Sequence, residues 1–152
     1  MDTQSGPELC NCLAIRQAAR HVSQFYDQCM APIGLRTSQF SMLARLRRLG
    51  PMTINTLAHD LVMDRTTLGR NILPLEREGL IIIVPGSADR RSKEVRLTEA
   101  GVDRLRAGLA RWAEAQTRFE ATFGAARAAE LRRLMREVTA SDFATPSGTA
   151  AR

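Results

Sequence analysis

No stretch of this 152-residue chain approaches the 18 consecutive apolar residues that a membrane-spanning helix needs. Residues 1–9 hold neither a basic start nor an apolar segment, so no secretory signal is expected. Cysteine is scarce and odd in number, three in all. That leaves no disulfide framework and points to a reducing cytoplasm. The two histidines, His21 and His59, fall on separate predicted helices. The chain lacks a Ser/His/Asp order, a phosphate-cradling glycine loop and a carboxylate pair in an apolar setting, which argues against an enzyme. Cys10 and Cys12, with a distant Cys29 and those two histidines, lack the clustered spacing of metal ligands. Neither a metal nor another cofactor is expected. Lysine is almost missing: of 22 basic residues, only Lys93 is not arginine.

Apolar residues make up 44% of the chain, enough for a core, which excludes global disorder. The length suits one compact domain, or a small domain with an arm. The net charge is +6, and its placement says more than its size. Residues 36–96 hold 11 basic and 6 acidic groups, net +5. Residues 1–35 come to −1 and residues 97–152 to +2. Arginine is the side chain whose planar fork pairs with a phosphate or a base edge.

Apolar steps of three and four over residues 9–30 predict an amphipathic helix that Pro32 and Gly34 end. Thr37 or Ser38 is expected to cap a second helix burying Phe40, Leu43, Leu46 and Leu49, stopped at Gly50 and Pro51. Thr53 is read as the cap of a short third helix with Ile54, Leu57, Ala58 and Leu61 inward. After a tight turn through Val62 and Met63, Asp64 caps a fourth helix that buries Leu68, Ile72 and Leu75 and ends at Gly79. Pro74 contradicts that helix, because an interior proline removes a backbone bond at about 3 kcal/mol. A bend there is preferred to two pieces, since the apolar period continues. Residues 80–84 read as a strand, residues 85–92 as an eight-residue loop, and residues 94–97 as a second strand. A long helix follows from Thr98 and Glu99, broken by Gly124, then a last helix; residues 144–152 are expected to be a disordered tail.

The fold class is therefore mainly helical: a winged helix-turn-helix with a two-stranded wing. Two helices crossing at a tight turn can place the second in a DNA major groove. With Leu68, Ile72 and Leu75 buried, the residues Arg65, Thr66, Thr67, Arg70 and Asn71 fall largely outside the apolar stripe. Arginine forks suit guanine edges or phosphates, and threonine suits phosphate or a thymine methyl. Gly69 is expected to permit close approach. The hairpin loop, with Arg90, Arg91 and Lys93, is a basic finger suited to phosphates or a narrow minor groove. Asp89 is expected to clamp an arginine rotamer. Double-stranded DNA is the expected partner.

These residues resemble a known family. Asp89-Arg90-Arg91 followed by Leu97-Thr98-Glu99-Ala100-Gly101 is similar to the Asp-x-Arg…Leu-Thr-x-x-Gly signature of the MarR family of winged-helix transcription regulators. The stretch from Asp64 to Arg70, running on to Leu80, resembles that family's recognition helix and its exit into the wing. The likeness covers about residues 9–142. It implies a dimer built from the first and last two helices, binding a pseudo-palindrome and usually repressing. Residues 1–35 and 99–143 would then be dimerisation helices, and residues 36–98 the DNA-binding lobe. Arg91 would be the wing tip entering the minor groove and Asp89 its orienting partner. Leu9, Leu13, Phe123, Leu131, Leu134 and Val138 would find cover in a symmetric copy.

The resemblance also implies a small, often aromatic, ligand between the dimer helices and the lobe, with Arg16, His21, Tyr26, Met42 and Trp112 as candidate lining residues. Some relatives sense peroxide with a thiol near the start of the first helix, where a helix N-terminus favours a reactive thiolate. Cys10 is the candidate here, although Tyr26 is the only tyrosine. Cys10 and Cys12, two apart on one helix, are expected to face apart. A third reading keeps the winged helix as a protein-interaction module.

Overall fold

The computed structural model describes residues 6–143, so the tail expected at residues 144–152 lies outside them. The described residues form two compact units, one through Ala115 and one from Gln116.

In the first unit, a 3-10 turn at Pro7–Leu9 leads into α1, Asn11–Met30. Cys10 is the N-cap, and its Sγ accepts the Leu13 N–H at 3.4 Å. Helix α1 gives way to a 3-10 turn, Ala31–Ile33, closed by Gly34 in the left-handed region at φ 68°. Helix α2 is Thr37–Leu49. Its N-cap is Arg36, not Thr37 or Ser38. The Arg36 N–H donates to Gln39 Oε1 at 3.0 Å, and the Thr37 N–H to Asp27 Oδ1 at 2.7 Å. A carboxylate arriving from α1 satisfies an orphan N–H, so no hydroxyl cap is needed. Phe40, Met42, Leu43 and Leu46 are buried, whereas Leu49 is 50% exposed and not in the core.

A two-residue strand, β1, Met52–Thr53, was not foreseen from the pattern. Thr53 then caps α3, Ile54–Asp60, accepting the Thr56 N–H at 3.1 Å. Leu57 and Ala58 are buried; Ile54 and Leu61 pack on the core half-buried. Val62 carries the turn at φ 53°, a left-handed conformation that is strained for a β-branched residue. Helix α4 is Arg65–Arg77, buries Leu68, Ile72 and Leu75, and runs through Pro74 as one element. Proline cannot donate to the Arg70 carbonyl, but its own carbonyl accepts the Glu78 N–H at 3.0 Å.

Strands β2, Ile81–Pro85, and β3, Lys93–Leu97, pair antiparallel with Ile83 opposite Val95, and the sheet order is β1-β3-β2. The sheet is thus three-stranded. Pro85 pairs with Lys93, which shortens the loop to residues 86–92. Proline is tolerated there because β2 is an edge strand. Helix α5 is Glu99–Phe123. Its start is docked by Thr98, whose hydroxyl donates to the Gly79 carbonyl at 2.6 Å and accepts the Gly101 N–H at 3.0 Å. One core joins Met30, Leu43, Leu68, Leu80, Val95 and Leu105.

The second unit holds the end of α5 and α6, Ala125–Ala140, joined at Gly124 with φ 97°. The Phe119 and Phe123 rings meet at a tilt of 40° with centroids 5.5 Å apart, and the Arg127 guanidinium lies 4.4 Å above the Phe123 ring. Arg132 pairs with Glu120 at 3.2 Å, and Arg133 with Glu130 and Glu137.

Candidate nucleic-acid interface

The polar face of α4 divides into committed and uncommitted residues. Asp64 accepts the Thr67 N–H at 2.8 Å and the Thr67 hydroxyl at 2.6 Å. These bonds, the hydroxyl's above all, hold the Asp64 carboxyl below its usual range. Asn71 Nδ2 donates to the Thr67 carbonyl at 2.9 Å, and Asn71 Oδ1 accepts from the Ser38 hydroxyl at 3.0 Å. Thr67 and Asn71 therefore serve the lobe's own structure. Arg65, Thr66 and Arg70 remain exposed on the same helix, with no side-chain ion pair among the described residues. An added Cβ at Gly69 would meet nothing within 4 Å, so the close approach expected there does not occur within the chain.

The hairpin tip is ordered by backbone bonds. Asp89 Oδ1 accepts the Arg91 N–H at 2.9 Å, and the Asp89 carbonyl accepts both the Ser92 N–H at 3.0 Å and the Ser92 hydroxyl at 2.7 Å. Asp89 thus shapes the turn through the Arg91 backbone and does not clamp an arginine side chain. A short acceptor two residues before an N–H makes this Asx-type turn favourable. The turn is tight enough that a Cβ at Gly86 would lie 2.5 Å from the Asp89 carbonyl oxygen. Arg90, Arg91 and Lys93 are left exposed.

The base of the hairpin holds a residue that pattern reading missed. Glu94 is 8% exposed and accepts Arg96 Nε at 2.8 Å and the Ser87 hydroxyl at 3.1 Å. Arg96 first, then the Ser87 N–H, holds its carboxyl below the usual range. The signal was available: residues two apart on a strand share a face.

Both carboxyls give a pH expectation with a defined sign. A folded pKa below the unfolded one contributes stability that is full above the unfolded pKa and is lost as pH falls through the folded value. Thermal midpoints measured between about pH 5 and about pH 3 should fall less steeply in Asp64→Asn/Glu94→Gln than in the parent protein. Equal acid-side slopes would show that neither bond network matters to stability.

A cleft of about 470 Å³ opens between α1, α2 and α5, lined by Tyr26, Met30, Thr37, Arg45, Arg48 and Trp112 among others. Of the five expected lining residues, Tyr26 and Trp112 are there. Met42 is fully buried in the core instead, because it falls within the buried stripe of α2. Arg16 and His21 sit exposed on α1 and do not line it. Arg45 pairs with Asp60 at 3.2 Å, and Arg48 has no ion-pair partner among the described residues. Cys10 and Cys12 are exposed, and Cys29 is half-buried. Cys10 is extended, at φ −68° and ψ 111°, so the pair straddles the helix start and does not lie on one helix.

Among the described residues no group of three His, Cys, Asp or Glu side chains could hold a metal ion. No helix there is long and apolar enough to cross a membrane.

Comparison with known proteins places this geometry. The sequence model of the MarR family matches residues 35–93. The uncharacterized HTH-type transcriptional regulator YwoH of Bacillus subtilis is 36% identical over 85 residues, 56% of this chain and 61% of that protein. The transcriptional activatory protein BadR of Rhodopseudomonas palustris is 33% identical over 99 residues, 62% of this chain and 57% of that protein. The chain thus spans about three fifths of these curated relatives. The crystal structure of the Mycobacterium tuberculosis transcriptional regulator MosR in complex with DNA is similar at 32% identity and a TM-score of 0.73, covering 86% of this chain and 97% of that one.

Proposed function

The chain belongs to the MarR family of transcriptional regulators, and from that premise we propose that it is a homodimeric, cytoplasmic repressor of a pseudo-palindromic operator in double-stranded DNA. The observation that carries this reading is a single lobe bearing two sets of uncommitted cations: Arg65 and Arg70 on α4, and Arg90, Arg91 and Lys93 on the hairpin. The similar MosR has been solved with DNA, which supports carrying the same partner to this chain. Residues 36–98 would be the DNA-binding lobe, with Arg91 at the wing tip.

Dimerisation by residues 1–35 and 99–143 is supported by apolar exposure. Leu9 is 59% exposed, Leu13 45%, and Leu134 and Val138 are similarly open. A twofold pair would present recognition helices about 34 Å apart, one turn of B-form DNA. The cleft, with Tyr26 and Trp112 beside Arg48, suits a small aromatic anion, whose arrival would release DNA. A thiol switch at Cys10 is the second reading, favoured by its exposed place at the N-cap of α1.

The test is a mobility shift on DNA upstream of the protein's own gene, across a salt series. Affinity should fall with salt at a log-log slope of about −0.9 per phosphate neutralised. Release by an aromatic acid supports the cleft; release by peroxide that vanishes in Cys10→Ser supports the thiol. Salt-insensitive behaviour, or no duplex binding at all, would sink the DNA reading and leave an interaction module.

A further inference from the structure

The amide of Asn71 is turned into the lobe. We propose that Ser38 and Asn71 form a strut that sets how α4 is rotated against α2, making Ser38 a positioning residue for DNA recognition; this rests on the DNA-binding reading above. Reading adenine with an asparagine takes its carbonyl oxygen and an N–H side by side, both facing outward. Here the oxygen accepts the Ser38 hydroxyl at 3.0 Å and an N–H is directed at the Thr67 carbonyl at 2.9 Å. Asn71 is half-buried, and one hydrogen-bonding position on each of its amide atoms is already taken by the lobe itself.

The apolar contacts of Leu68, Ile72 and Leu75 hold α4 on the core, but such contacts are non-directional. A hydrogen bond between residues 33 apart in sequence adds direction. The anchor is itself held. Thr37, next to Ser38, donates its N–H to Asp27 Oδ1 on α1 at 2.7 Å. At the other end, Thr67 is bonded to Asp64, the cap of α4. The relay thus runs from α1 through the first turn of α2 to the end of α4 that carries Arg65 and Thr66. Arginine tips lie far from the helix axis, so a small rotation of α4 displaces them more than its backbone.

The test uses the full chain, a duplex that it selects from random-sequence DNA, and a scrambled duplex of equal length. Ser38→Ala should keep the parent's salt slope and unfold within a few degrees of it. It should lose about tenfold in affinity for the selected duplex and little for the scrambled one. Its base preference should blur across the whole half-site. Ser38→Thr, which keeps the hydroxyl, should restore discrimination. Asn71→Ala should match Ser38→Ala, and the double variant should be no worse than either. Unchanged discrimination in Ser38→Ala, an altered salt slope, additive losses, or a loss in Asn71→Ala confined to one base pair overturns the proposal. If the parent selects no duplex, the DNA reading itself fails and the strut with it.

Discussion

Gly101→Ala is expected to cost about 3 kcal/mol or more, and Gly101→Val to leave too little stability for a cooperative transition. A Cβ at this position would lie 2.0 Å from the Leu80 carbonyl oxygen, 3.0 Å from its carbon and 2.7 Å from Leu97 Cδ1. The carbonyl cannot simply yield, because it accepts the Thr98 N–H at 3.1 Å. Thr98 in turn ties the Gly101 N–H and the Gly79 carbonyl together, so the start of α5 is fixed against the junction of α4 and β2. The glycine that closes the Leu-Thr-x-x-Gly signature is thus a close-approach glycine. Two other glycines calibrate the measurement. At Gly108 a Cβ would lie 2.8 Å from Cδ2 of the buried Phe40, a side chain and not a hydrogen-bonded backbone carbonyl, so Gly108→Ala should also destabilise, but by less. At Gly69 nothing lies within 4 Å, and Gly69→Ala should stabilise by about 0.5–1 kcal/mol. Urea denaturation of the three variants checks the order. A Gly101→Ala midpoint equal to the parent's would refute the docking argument.

Removing the arginines of α4 and of the hairpin should have the largest effect on DNA. Arg70→Ala deletes a fork from the recognition face and should cost about 1–3 kcal/mol per half-site, with relaxed preference at the pair it reads. Arg91→Ala should weaken binding to all sequences alike and reduce the salt slope by about 0.9 per protomer if it meets one phosphate. Neither change should unfold the protein. Arg70 is exposed, and the hairpin turn is held by the Arg91 N–H, which alanine keeps. Affinities for the selected and the scrambled duplex, each over a salt series, separate the two roles. A Arg70→Ala variant with intact base preference would move base reading to Arg65 and Thr66.

Local chemistry made much of the fold legible. Asp64 and Thr53 cap helices because a short acceptor side chain reaches an N–H three residues on. Gly34, Gly50 and Gly79 end helices because they adopt positive φ without a Cβ clash. The β-branched run, the turn and the alternating strand make a hairpin within residues 81–97. Each of these signals acts over a few positions, so the order helix, short helix, helix, hairpin could be read directly.

Contacts between distant segments decided the rest. Strand β1 is two residues long and exists only because β3 supplies a partner for Met52 and Thr53. The start of α2 depends on Asp27, ten residues away in α1. Met42 faces the core because the buried stripe of α2 is broad, taking in Phe40, Met42, Leu43 and Leu46. At the interface, sequence could nominate Arg65, Thr66, Thr67, Arg70 and Asn71 by their place off the apolar stripe. The Asp64–Thr67 bond is local to the helix cap, whereas only the tertiary structure brought Ser38, 33 residues away, against Asn71. Periodicity reports which face of a helix meets solvent, whereas a polar group's remaining hydrogen-bonding capacity depends on whatever the fold brings beside it.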